Sequence, residues 1–263
     1  MKEFFSLLGI LRKAILLSTL ILAYILVSLF WRVWARDLIS RRRYFTSSVS
    51  FFTGLALKLL NIKTNIINLP DQHKSYLLVG NHLGFLDIFV LASNFPCLFV
   101  TSVEMRAAFG LGFLTEMAGC LYVERRNRSR LTEDIEKIRH ALKQNFSVAL
   151  YPEGTSSNGE KVLVFKKSLL AAAAGSNVPI LPMVINYRKV NGELMSHKWR
   201  DYVCWYGAQT FPEVALRILS MQSTEVDLEF LPEAHVHSVE QRGEMAEKIH
   251  QAIVEKYAKI PIS

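Results

Sequence analysis

The chain has 263 residues, 51% hydrophobic and 21% charged, with a formal net charge of +8. That balance excludes a disordered or fibrous protein, and the length suffices for one large domain or two small ones. The cysteines Cys97, Cys120 and Cys204 stand far apart with no C-x-x-C pair, which argues against a disulfide framework or structural zinc and for reduced thiols.

A positive surplus suits a phosphate-rich partner, either nucleic acid or an anionic lipid surface. The N-terminal segment chooses the lipid. Residues 14–31 carry no charge, and only Ser18, Thr19, Tyr24 and Ser28 interrupt their apolar character. As a helix this run is about 27 Å long, close to a hydrocarbon core of about 30 Å. Lys2, Arg12 and Lys13 precede it, and Arg32, Arg36, Arg41, Arg42 and Arg43 follow, with Trp31 and Trp34 at the place of an interfacial belt. No small-residue cleavage site follows, so the segment reads as a retained anchor rather than a signal peptide. The heavier positive flank is C-terminal, which predicts the cytoplasmic (inner) membrane with the rest of the chain on the cytoplasmic side. Residues 44–60 place Phe45, Val49, Phe52, Ala56 and Leu59 at helical spacing. This second helix lies either in the membrane interface or against the globular part. The two segments are also able to form a hairpin that enters one leaflet without crossing. Residues 1–60 are thus read as membrane-anchoring helices and residues 61–263 as one globular domain.

From residue 61 short β-rich runs alternate with helical ones. The expected strands are residues 62–68, 76–80, 98–101, 120–123, 147–151, 180–185, 202–206 and 226–230. The expected helices are residues 86–93, 104–117, 130–144 and 166–174, with a closing helix near Ser238, capped by Gln241. Continuous apolar runs such as Tyr76 to Val79 suit strands buried on both faces. The fold class is α/β, a largely parallel sheet flanked by helices and preceded by the N-terminal membrane helices.

Chemistry-bearing residues fall at strand ends, where α/β folds bind ligands. Asn81 and His82 follow one strand, and Asp87 comes five residues after His82. An imidazole beside a carboxylate is a base–orienter pair, although the bare spacing also fits a capping aspartate near an unrelated histidine. Tyr151, Pro152, Glu153, Gly154 and Thr155 form a turn after another strand. Arg125, Arg126, Arg128 and Arg130 follow a third, and the guanidinium fork suits phosphate. Val178, Pro179 and Pro182 are weak alone, reading equally as an edge-strand device.

Together and in order, these blocks resemble the glycerolipid acyltransferases, the 1-acylglycerol-3-phosphate acyltransferases and related lysophospholipid acyltransferases. The first block is His82 and Asp87. The second is Gly119, Leu121, Val123 and Arg125. The third runs from Tyr151 to Thr155, and the fourth is Val178, Pro179 and Pro182. The resemblance covers about residues 61–231. It implies transfer of an acyl chain from an acyl-carrier protein or coenzyme A thioester, a co-substrate rather than a resident cofactor, to the free hydroxyl of a lysolipid acceptor. In that scheme His82 is the base and Asp87 orients it. Asn81, Arg125, Glu153, Gly154, Thr155 and Lys166 bind substrate, and backbone N–H groups of the His82 turn or near Glu153 to Thr155 meet the oxyanion. It implies no metal, and nucleic acid is not an expected partner. One position departs. Where members acting on lysophosphatidate carry arginine after Glu-Gly-Thr, this chain has Ser156. That leaves lysophosphatidate, giving phosphatidate, as the first expected acceptor, with another lysophospholipid or lyso-ornithine lipid as the alternative. A non-catalytic lipid-binding membrane protein is the expectation of another class.

Overall fold

The computed structural model describes residues 2–124, 128–174 and 176–261. Two helices lead: α1 (Lys2–Trp34) and α2 (Leu38–Leu59). Asp37 caps α2, its carboxylate accepting the Ser40 N–H at 2.8 Å. Then come β1 (Ile62–Ile67), β2 (Leu77–Gly80), α3 (Phe85–Asn94), β3 (Leu98–Ser102), α4 (Val103–Ala107), α5 (Leu111–Met117) and β4 (Leu121–Val123). The second half holds α6 (Leu131–Lys143), β5 (Val148–Leu150), β6 (Ile180–Val190), β7 (Glu193–Leu194), α7 (Arg200–Val203), α8 (Phe211–Ser220), β8 (Thr224–Phe230) and α9 (Arg242–Lys256).

One sheet runs β1-β8-β6-β2-β5-β3-β4, with β7 beside β6. From β6 to β4 every neighbour is parallel. The β8–β6 pair is antiparallel, and β1 runs parallel to β8. The largely parallel α/β expectation holds. Leu77, Leu78 and Val79 are fully buried, as are Val148 and Ala149, because helices cover both faces of these central strands. Each such aliphatic side chain contributes about 1.5–3 kcal/mol by leaving water.

Residues 44–59 lie within α2 and Leu60 caps it; Phe45, Val49 and Ala56 are buried and the helix packs on α3, so its apolar face is turned to the protein. By contrast the 28-residue stretch Leu7–Trp34 of α1 is long and apolar enough to cross a membrane and buries little of itself in the protein. Both ends of α1 nevertheless reach the α/β body. Lys13 Nζ donates to the Met221 carbonyl, and Arg32 pairs with Glu116 at 3.0 Å.

Several expectations need correction. The helix expected over 104–117 is two short ones, α4 and α5, broken at Gly110 (φ +73°), and the return is tight enough that a Cβ on Gly112 would lie 2.0 Å from the Arg106 carbonyl oxygen. The helix expected over 166–174 is a 3-10 turn, Lys167–Ala172. Arg139 donates to the carbonyls of Ala171 and Ala174 at 3.0 and 3.1 Å, satisfying the acceptors at the end of this turn. The strand expected over 202–206 is absent among the described residues. Its first half is α7, and its second half leaves the sheet because the Trp205 N–H donates to the Leu83 carbonyl at 2.7 Å. The edge-strand reading of Pro182 also fails, since β6 is central. The proline is accommodated because the β8 ladder begins one residue later, at the pair Met183 and Phe230.

Candidate active site

His82 sits just past the carboxyl end of β2, and Asp87 lies in the first turn of α3. The chain turns tightly between them. A Cβ on Gly84 would lie 2.7 Å from the Val203 carbonyl oxygen, so only glycine lets the two segments approach. The turn brings His82 Nδ1 to 2.9 Å from Asp87 Oδ2. That oxygen also accepts the N–H groups of Leu83 and Gly84 at 2.6 and 2.9 Å. Asp87 Oδ1 accepts the Tyr187 hydroxyl at 2.8 Å. The cost of burying this carboxylate fully is offset because both its oxygens are met by donors and it stands at a helix N-terminus. A proton on Nδ1, directed to Asp87, would leave Nε2 of His82 as the acceptor.

Glu153 follows β5 and is 3% exposed. One carboxylate oxygen accepts the His82 N–H at 2.7 Å and the other the Leu163 N–H at 2.8 Å. Burial is the largest influence on it. Despite the two N–H donors, its pKa is pushed from 4.5 to about 7, and Asp87 adds to the rise. Asn81 bridges to β6, donating to the Ile185 carbonyl at 3.0 Å and accepting the Ile185 N–H at 2.9 Å. Both residues therefore bond to the framework, and each holds the His82 turn from a different side. The Tyr151 ring stacks on the imidazole with centroids 4.3 Å apart.

Gly154 takes φ +75°, and a Cβ there would lie 2.6 Å from Lys166 Nζ, so the lysine reaches across the turn over the glycine. Thr155 is exposed beside it. The Ser156 hydroxyl donates to the Trp205 carbonyl, tying the turn to the segment after α7. Arg125 lies outside the described residues. The N–H groups of His82, Leu83 and Gly84 are all occupied by carboxylates, so the His82 turn does not offer the oxyanion donors expected of it.

His82 opens onto a cavity of about 570 Å³. Its polar wall is His82, Tyr151, Gly154, Thr155 and Ser156, and its other walls are mostly apolar, with Thr53, Thr101, Ser102 and Thr115 among them. The other walls include Leu17, Ile21 and Tyr24 of α1, Phe52 and Ala56 of α2, Phe85 and Phe89 of α3, Leu111 and Leu114 of α5, and Ala215 and Leu219 of α8. The size is that of a small-molecule site, and the lining is that of a site for a hydrocarbon chain with one polar end.

Sequence reading did not single out Tyr187. It is on β6, a hundred residues from Asp87 in the chain, and only the β2–β6 pairing joins them. Trp205 escaped notice because the alternation of residues 202–206 read as a strand.

The Acyltransferase family model matches residues 61–186. The lyso-ornithine lipid O-acyltransferase of Rhizobium meliloti is 29% identical over 184 residues, which is 67% of this chain but only 63% of that protein, so the match spans less than two thirds of its length. The 1-acyl-sn-glycerol-3-phosphate acyltransferase of Neisseria gonorrhoeae is 26% identical over 188 residues, 70% of each. The crystal structure of the 1-acyl-sn-glycerophosphate acyltransferase of Thermotoga maritima superposes with a TM-score of 0.67 at 21% identity, over 97% of both chains, and shares the fold.

Proposed function

We propose that the chain is a member of the acyltransferase family, whose model matches residues 61–186, and that it moves an acyl chain from a thioester to the free hydroxyl of a lysolipid at the membrane surface. The observation that carries the reading is the His82–Asp87 pair opening onto a largely apolar cavity. Nε2 of His82 takes the proton of the acceptor hydroxyl as its oxygen attacks the thioester carbonyl. Asp87 holds the imidazole's tautomer and balances its charge. Collapse of the tetrahedral intermediate breaks the C–S bond, and His82 returns the proton to the thiolate. The Thr155 N–H, beside His82 in the cavity wall, is the donor we assign to the oxyanion, a contact typically worth about 3–4 kcal/mol. Asn81, Glu153 and Tyr187 act as positioning residues. The thioester belongs to acyl-carrier protein or coenzyme A, and both are acidic partners for a basic chain.

For the acceptor, Arg125 and Lys166 are the cations we assign to the phosphate of 1-acylglycerol-3-phosphate. A second reading, another lysolipid such as lyso-ornithine lipid, is favoured by Ser156. Its hydroxyl already bonds the Trp205 carbonyl, and it supplies neither the charge nor the fork of an arginine.

For the membrane, the ties at Lys13 and Arg32 favour a helix lying along one leaflet. Those residues are 19 apart, or about 28 Å of helix, and both ends touch one body. A crossing helix would carry its ends to opposite sides of a core about 30 Å thick. We place the enzyme on the cytoplasmic membrane with its catalytic domain on the cytoplasmic side.

The test is acyl transfer by purified protein in vesicles, with labelled acyl-carrier protein or coenzyme A thioester in turn, a panel of lysolipids and His82→Ala in parallel. Acylation of lysophosphatidate alone supports the first acceptor, and preference for another lysolipid supports the second. No product from either thioester, or equal product from His82→Ala, overturns the catalytic reading and leaves lipid binding.

A further inference from the structure

We propose that an arginine-lined pocket at the turn between α1 and α2 binds the phosphate of an anionic lipid headgroup, at a site separate from the one at His82. The pocket has a volume of about 190 Å³ and is lined by Arg32, Arg41 and Arg42 together with Leu38, Phe45 and Tyr122. It is too small for a whole lipid and suits a headgroup. Arg32 comes from the last turn of α1, and Arg41 and Arg42 from the first turns of α2. The short connection capped by Asp37 forces these like charges together.

Their partners do not balance them. Glu116, also in the lining, pairs with Arg32 at 3.0 Å. Arg42 donates to the neutral Gln144 at 3.1 Å, and the Arg41 guanidinium has no hydrogen-bond or ion-pair partner among the described residues. Burial lowers the pKa of Arg42, and the charge of Arg41 lowers it further. An anion bridging the two guanidinium forks would relieve both effects.

The position is distinct from the candidate active site. Gly119 and Cys120 of the lining precede β4, and Gln144 precedes β5, so the pocket lies at the amino ends of these strands. His82 lies beyond the carboxyl end of β2, which runs parallel to them. Trp31 stacks on Tyr44 with ring centroids 3.7 Å apart beside the same turn, and α1 presents its apolar face outward there. Amphipathic aromatics next to arginines place the turn at headgroup level. The phosphate is therefore assigned to a lipid rather than to the solvent.

The experiment measures binding of the full chain to phosphatidylcholine vesicles with and without phosphatidylglycerol, at high salt, where exposed charges are screened and partly buried ones much less so. It needs no catalysis, so its failure is separable from failure of the acyltransferase reading. Wild type is expected to keep its preference for the anionic vesicles. Arg41→Gln with Arg42→Gln should lose roughly tenfold or more of it. Arg36→Gln with Arg43→Gln, which removes the same charge outside the pocket, should stay within about twofold. Equal losses in the two pairs would mean diffuse attraction and overturn the site. Should the first pair fail to fold, Arg41→Lys with Arg42→Lys keeps the charge without the fork and must show an intermediate loss, and wild-type binding by that variant overturns the proposal. Inorganic phosphate should release the protein no better than chloride at equal ionic strength. Better release would assign the pocket to free phosphate and overturn the lipid source.

Discussion

The wall of the cavity at His82 and the walls contributed by the helices are held by different forces. Around His82, charged and polar groups are buried, and Asp87 and Glu153 have both carboxylate oxygens occupied. Along α1, α2, α5 and α8 the lining is mostly aliphatic and aromatic, with shape and little direction. The difference matches the two tasks proposed for the site. A proton transfer needs a base fixed to fractions of an ångström, which only directional bonds provide. A hydrocarbon chain needs volume and dryness, which packing provides without fixing any single contact.

Substitutions at the two walls should therefore fail in different ways. Asp87→Asn takes the charge from the pair while keeping its shape. Turnover should fall by about two to four orders of magnitude with lysolipid affinity little changed, as steady-state kinetics would report. Glu153→Gln should act on stability. A carboxyl whose pKa is raised from 4.5 to about 7 keeps its proton in the folded chain after the unfolded chain has lost it. Its stabilising contribution is complete below about pH 4.5 and is lost as the pH rises through about 7. Denaturant unfolding of wild type should thus lose on the order of 3 kcal/mol across that window. In the glutamine variant that slope should flatten.

On the apolar wall, Ala215→Trp should fill part of the cavity and spare the chemistry. If two or three methylenes lose their place, long-chain substrates weaken by about 2 kcal/mol while short-chain ones react normally, a contrast that a chain-length series would expose. Tyr187→Phe returns to the polar wall and removes one donor from Asp87 Oδ1. Turnover should fall about tenfold with KM unchanged. Tyr151→Phe should do least. The hydroxyl is buried without a partner among the described residues, so its loss should leave the melting temperature equal or slightly higher, with activity retained.

The same division decided what could be read from the sequence. Central strands were legible because burial on both faces leaves continuous apolar runs such as Leu77 to Val79. His82 and Asp87 were legible because one turn joins them. Tyr187 was not, because its bond to Asp87 depends on which strands pair. The start of α8 did have a signal, Thr210 with Glu213 three residues on and Pro212 between, which passed unread beside the aromatic residues 202–206. The cavity had none, since its walls come from helices far apart in sequence and exist only once these are packed.

The tie between Lys13 and Met221 joins residues 208 apart in the chain. Chains are made from the amino end, so α1 leaves the ribosome long before its anchoring carbonyl exists. Pairing of β1 with β8, Ile62 opposite Thr224, waits for the same late segment. On the proposed anchoring, lipid would cover the apolar helix in the interval. The bilayer would then be the surface on which this fold assembles, and the wall of the cavity made first would be the one closed last.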